Sequence, residues 1–111
     1  MQFIAFDIET TGFLPKVDQI VEIAAVKFKG GEALESFSSL VNPKIAIPAG
    51  AAQIHGITDQ MVANQPTIES VLEGFANFCG NDPLVAHNAP FDTEFIKVAP
   101  PPPVEPPELL D

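Results

Sequence analysis

The chain reads as an α/β domain, a mixed sheet flanked by helices, and three observations predict it. Residues 3–9 form a largely apolar run that carries two acids, Asp7 and Glu9, at its end. A second apolar run, Gln19 to Phe28, is followed by Gly30-Gly31 and a third run, the pattern of a hairpin. From Thr67 the apolar residues recur at spacings of three and four, and a short apolar segment, Leu84 to Ala86, comes after them.

Taken in order, Phe3 to Glu9 is a strand that turns at Thr10-Thr11-Gly12. Gln19 to Phe28 is rich in Ile, Val and Ala, as in a central strand buried on both faces. Glu32 to Val41 is a third strand, ended by Asn42-Pro43. Pro48 opens a short helix through Gln53, Gly56 stops it, and Thr58 caps another turn or two. Ile68, Val71, Leu72, Phe75, Phe78 and Cys79 make the apolar stripe of an amphipathic helix, broken by Gly80-Asn81-Asp82-Pro83. After the strand Leu84-Val85-Ala86, Asn88 and Pro90 start a helix with Phe91, Phe95 and Ile96 on one face and Asp92 on its first turns. The order β-β-β-α-β-α sets the first strand beside the strand after the crossover, so Asp7 and Glu9 are expected to face the start of the helix holding Asp92.

Composition changes abruptly after Val98. Residues 1–98 form the expected domain, and residues 99–111 a proline-rich acidic tail that cannot continue a helix. No Arg or Lys flanks the prolines, which favours a linker or disordered end over a ligand for a proline-binding domain.

The formal net charge is −10, from 15 acidic residues against 5 basic ones, all Lys. Such a balance repels phosphate and argues against a basic nucleic-acid coat. It leaves room for a metal-dependent nuclease, because bound cations reverse the local field. The single cysteine, Cys79, excludes an internal disulfide, fits a reducing compartment and sits among Phe75, Ala76 and Phe78 as a core thiol. The N-terminus lacks the pattern of a secretory signal and no run approaches membrane-spanning length, so the expected location is cytoplasmic, without a membrane partner.

Asp7 and Glu9 carry the strongest chemical signal. Strand side chains alternate, so the two acids share one face while Phe6 and Ile8 point the other way. At a rise of about 3.3 Å per residue they stand roughly 7 Å apart. Two like charges on a half-buried face call for protonation, exposure or a matching cation. No Lys or Arg precedes Lys16, and hard oxygen ligands favour Mg²⁺ or Mn²⁺.

Three segments together resemble the DnaQ-like, ribonuclease H-like 3′-5′ exonucleases, the group that includes the proofreading epsilon subunit of bacterial DNA polymerase III. They are Phe6-Asp7-Ile8-Glu9-Thr10-Thr11-Gly12, Ile54-His55-Gly56-Ile57-Thr58 and Ala86-His87-Asn88-Ala89-Pro90-Phe91-Asp92. In this order the combination is highly specific, and it covers Met1 to about Val98. The resemblance implies hydrolysis of nucleic-acid 3′ ends to nucleoside 5′-monophosphates with two divalent cations, Mg²⁺ or Mn²⁺. By the same resemblance Asp7 bridges both ions, Glu9 holds the ion carrying the nucleophile, and Asp92 acts on the leaving-group side. Thr10, Thr11 and Gly12 then let backbone amides approach the terminal nucleotide. The segment Ile54 to Ile57, with His55, packs against its base and sugar, and Asn88 and Phe91 complete the substrate contacts. A capping role for His55 is the competing reading. His87 with Asn88 is expected to be structural, and His87 is not taken as the general base.

Two departures bear on activity. Gly50 stands where relatives usually have an acidic residue five positions before the motif histidine. The family's third motif, a histidine and an aspartate some distance beyond Asp92, is absent before Asp111. The expectation is therefore a fold truncated on its C-terminal side, lacking its last strand, with impaired activity and with uncovered sheet surface that favours self-association or completion by another chain. Expected partners are a single-stranded DNA or RNA 3′ end and a DNA polymerase subunit. The alternative reading is a noncatalytic metal- or nucleotide-binding interaction module derived from the same fold.

Overall fold

Alternation along the first strand decides how this sheet is covered. In the computed structural model, which describes residues 2–86, 92, 94–96 and 109–110, β1 (Gln2–Thr10) buries Ile4, Phe6, Ile8 and Thr10 on one face. Asp7 is exposed and Glu9 half-buried on the other. β2 (Ile20–Lys29) runs antiparallel to β1, and β3 (Glu32–Leu40) antiparallel to β2. Gly30 and Gly31 join them with φ of 59° and 84°, the left-handed pair that a tight hairpin requires. β4 (Leu84–Ala86) pairs parallel with β1, which sets β1 at the centre of the order β3-β2-β1-β4-β5. That placement beside the post-crossover strand is the one the element order predicts.

The buried face is sealed by α3 (Ile68–Cys79), whose Val71, Leu72, Phe75, Ala76 and Cys79 are buried. Phe75 is its keystone, with its ring centroid 5.5 Å from Phe6 and 6.0 Å from Phe37. Cys79 is the expected core thiol, and burial pushes its pKa up to about 12. A smaller cluster of Val21, Ile47, Ile57 and Val62 lies under α1 (Ala49–His55) and α2 (Asp59–Val62). Thr58 caps α2 by accepting from the Met61 amide, and the Asp59 carboxylate accepts from the Ile47 amide at 2.9 Å. This second cluster ties α1 to the end of the sheet where β1 turns.

Three expectations change. β2 is fully buried at Ile20, Val21, Ile23 and Ala25, but Glu22, Ala24 and Val26 are only half-buried, because they share the face that carries Asp7 and Glu9. The first short helix runs two residues beyond Gln53, to His55, since the left-handed Gly56 (φ 75°) can still return its N–H to the Ala52 carbonyl. Leu109–Leu110, expected in the extended tail, form β5 parallel to β4, so the sheet has a fifth strand where none was expected. An apolar pair beyond the last prolines can satisfy the open backbone groups of β4, which the proline run cannot. Asp92 and residues 94–96 are helical, with Phe95 and Ile96 in the main core. Among the described residues, no helix is long and apolar enough to cross a membrane.

Candidate active site

The site begins with an irregularity at the end of β1. The register with β2 shifts between Glu9 and Thr10, so Glu9 lies opposite Glu22 while Thr10 pairs with Ile20. Such a bulge bends the strand and re-aims the residues beyond it. The chain then enters a loop closed on itself by the carboxylate of Asp18. The Thr11 hydroxyl donates to Asp18 Oδ1 and the Leu14 amide to Asp18 Oδ2, each at 3.0 Å. Thr11 Oγ1 accepts from the Gln19 amide, and the Thr11 amide donates to the Gln19 carbonyl at 2.9 Å. The Thr10 hydroxyl donates to the Gly12 carbonyl at 2.6 Å.

His55 fastens α1 to this turn. Its Nδ1 accepts from the Ile57 amide at 3.0 Å, which leaves Nε2 as the protonated nitrogen, 3.1 Å from the Thr10 carbonyl. Both ring nitrogens are thereby engaged, and neither bond goes to a carbonyl of α1, whose cap is the Gly56 amide on the Ala52 carbonyl. Between the two walls lies a pocket of about 400 Å³, lined by residues 8–13 on one side and by Gly50, Ala51, Ile54 and His55 on the other. Phe13 and Ile54 are each 75% exposed at its rim. A Cβ at Gly50 would meet nothing within 4 Å, so the missing side chain leaves that wall open.

The electrostatics are one-sided. Burial, then Asp7, hold the Glu9 carboxyl above the usual carboxylate range; Glu22 adds to this and His55 opposes it. Asp7 is exposed, and its Oδ1 accepts from the Ile8 amide at 3.0 Å. No Lys or Arg is among the described residues that line the pocket. A divalent cation fits this pair by donor type and charge, since Mg²⁺ typically takes one or two carboxylates from protein and fills its remaining positions with water and phosphate. Asp92 is 1% exposed, on the same helical segment as the core residues Phe95 and Ile96. Among the described residues, no three His, Cys, Asp or Glu side chains gather around a cation position.

The pocket therefore brings together Glu9, Thr10, Thr11, Gly12, Ile54 and His55 from two separate motifs, with Asp7 on the adjoining sheet face. The expected contacts at Asn88 and Phe91, like His87, lie outside the described residues. The structure amends one role: the Thr11 amide is committed to Gln19 and does not face a nucleotide as a free donor. Sequence reasoning missed Glu22, which only the strand register places opposite Glu9, and Asp18, whose one local signal is an acid at the close of a loop that opens with Thr-Gly.

Comparison with known proteins points one way. The family model described as exonuclease, RNase T type, matches residues 4–99. A PolC-type DNA polymerase III of Clostridium perfringens is 54% identical over 96 residues, covering 86% of this chain and 7% of the polymerase. A DNA polymerase III subunit epsilon-like protein of Rhodobacter capsulatus is 48% identical over 100 residues, 87% of this chain and 14% of that protein. Among solved structures, exonuclease X in complex with 5′ overhanging duplex DNA superposes with a TM-score of 0.78 at 36% identity, covering 97% of this chain and 58% of the other. The chain thus spans a small fraction of the length of these polymerase relatives.

Proposed function

The chain belongs to the RNase T exonuclease family, and from that premise we propose that it is a metal-dependent 3′-5′ exonuclease domain of the proofreading type, acting on single-stranded nucleic-acid 3′ ends. The observation that carries the reading is the pocket itself. It unites Glu9 to Gly12 with Ile54 and His55 beside the Asp7 and Glu9 carboxylates, with no Lys or Arg among the described residues that line it. Its volume suits one nucleotide, and the rim pair Phe13 and Ile54 offers apolar surface to a base.

Asp7 and Glu9 are the residues to hold a divalent cation. When bound, the ion neutralises phosphate charge and makes an attacking water more acidic. The chain's own groups do the rest. Burial, with Asp7 and Glu22 nearby, disfavours the ionised Glu9 carboxyl, and a cation held by Asp7 and Glu9 would favour its ionised form. The Thr10 to Gly12 turn and α1 grip the terminal residue from two sides, and the bond from His55 Nε2 to the Thr10 carbonyl keeps those sides in register. His55 is not proposed as general base, because both ring nitrogens are committed. The likeness to polymerase III proteins supports a DNA polymerase as the larger context in which this domain works.

That no three His, Cys, Asp or Glu side chains gather around a cation position among the described residues favours a second reading, a module that binds cation and nucleotide without cleaving. One assay separates the two. A 5′-labelled single-stranded oligonucleotide incubated with Mn²⁺ should shorten into a ladder, and Asp7→Asn should abolish it. No ladder, with nucleotide binding intact, selects the noncatalytic module. Early release of the labelled 5′ nucleotide overturns the proposed polarity.

A further inference from the structure

We propose that Asp18 is a positioning residue for the nucleotide pocket, and that Gly12 is a glycine because of Asp18 and not because a nucleotide must approach its backbone. The inference rests on the exonuclease reading above and adds to it a residue outside all three sequence motifs. Asp18 lies seven positions beyond Thr11, outside the pocket lining, yet its two carboxylate oxygens each receive a donor from the incoming side of the loop, the Thr11 hydroxyl and the Leu14 amide. Thr11 is 2% exposed, and its hydroxyl passes the constraint on by accepting from the Gln19 amide. Bonds of this kind to an ionised acceptor are stronger than neutral ones and leave costly orphans when the acceptor is removed.

Glycine geometry supplies the second observation. A Cβ on Gly12 would collide with the Asp18 carboxylate, all three of whose heavy atoms lie within contact range. No positive φ is involved, since Gly12 is absent from the residues with left-handed backbone. What demands glycine here is the carboxylate pressed against it. The same press fixes the Thr10 to Phe13 wall, and through the Thr10 carbonyl it sets the surface to which His55 is fastened. Asp18 thus acts on the pocket through Thr11 and Gly12 without touching a ligand.

The test uses the full chain, with dTMP binding in the presence of Mg²⁺ measured by calorimetry and Mn²⁺ binding without nucleotide as the control. Asp18→Ala should weaken dTMP binding roughly tenfold or more while Mn²⁺ affinity stays within about twofold. Asp18→Asn, which keeps one acceptor oxygen, should fall between, and Thr11→Val should repeat the loss should Asp18→Ala fold poorly. The sharper arm is a double-mutant cycle. Gly12→Ala alone should weaken dTMP binding and lower Tm, and in the Asp18→Ala background it should add little to either loss. Equal, additive losses from Gly12→Ala in both backgrounds overturn the proposal and return Gly12 to direct nucleotide approach. Wild-type affinity in Asp18→Ala overturns it as well, and leaves the exonuclease reading standing. Absence of dTMP binding by the wild-type chain counts against that reading instead, and the Tm cycle then still decides whether Asp18 governs Gly12.

Discussion

The two faces of β1 are finished to different degrees. Ile4, Phe6, Ile8 and Thr10 are closed over by α3 and the core, none more than 9% exposed. On the opposite face Asp7 and Glu9 sit beside Glu22 with small neighbours, Ala5 and Ala24, and their repulsion is left standing. One face is given over to stability, and the other holds an electrostatic strain that a cation can relieve. A single strand does both because alternation separates the two sets of residues completely.

The comparison breaks most severely on the closed side. Phe75→Ala should cost about 3–5 kcal/mol, because the buried ring packs against both Phe6 and Phe37. A denaturant titration checks this, and a loss below about 1 kcal/mol would mean that α3 is not the element sealing the sheet. His55→Ala comes next, at about 1–3 kcal/mol for two hydrogen bonds, and it should also weaken nucleotide binding by loosening α1 from Thr10. Unaltered stability with weakened nucleotide binding would make His55 a ligand contact and not a fastener.

On the open side the effects are smaller and depend on pH. Because the Glu9 carboxyl lies above its ordinary 4.5, the folded chain holds that proton more tightly than the unfolded chain. Its contribution favours folding below the unfolded value and is lost as pH rises through the folded one. Glu9→Gln removes that loss. The variant's Tm should match wild type near pH 4 and rise above it by pH 7, and a gap that narrows as pH rises would reverse the assigned cause. The smallest effect belongs to Gly50→Ala. Its Cβ meets open space inside α1, so it should stabilise the chain by about 0.5–1 kcal/mol while trimming the pocket. A Tm at or below wild type would mean that this wall of the pocket is more crowded than it looks.

Much of this is legible in the chain because it is local. The period of two in residues 3–9 assigns Asp7 and Glu9 to one face, Gly30-Gly31 marks the hairpin, and the spacing from Ile68 to Cys79 marks the buried stripe of α3. The illegible parts depend on partners distant in sequence. Glu22 faces Glu9 only through strand register, and that register is broken by a bulge no local pattern announces. The tautomer of His55 is set by Ile57 on one side and by Thr10, 45 residues away, on the other. Asp18 looks like a loop acid until its carboxylate is seen closing against Gly12. Asp92 is helical, as its spacing predicts, but its near-complete burial is not something spacing alone shows.

The central proposal is that Asp7 and Glu9 form a cation site in which burial and the nearby Asp7 disfavour the ionised Glu9 carboxyl until an ion binds. Thermal unfolding of wild type and Asp7→Asn, each with and without millimolar Mn²⁺, tests it directly. A cation that binds only the folded state raises Tm by mass action, so wild type should shift upward with Mn²⁺. Asp7→Asn should start at or above the metal-free wild type, through relief of repulsion on Glu9, and should not shift. An equal Mn²⁺-induced rise in both proteins would contradict the account and place the cation elsewhere.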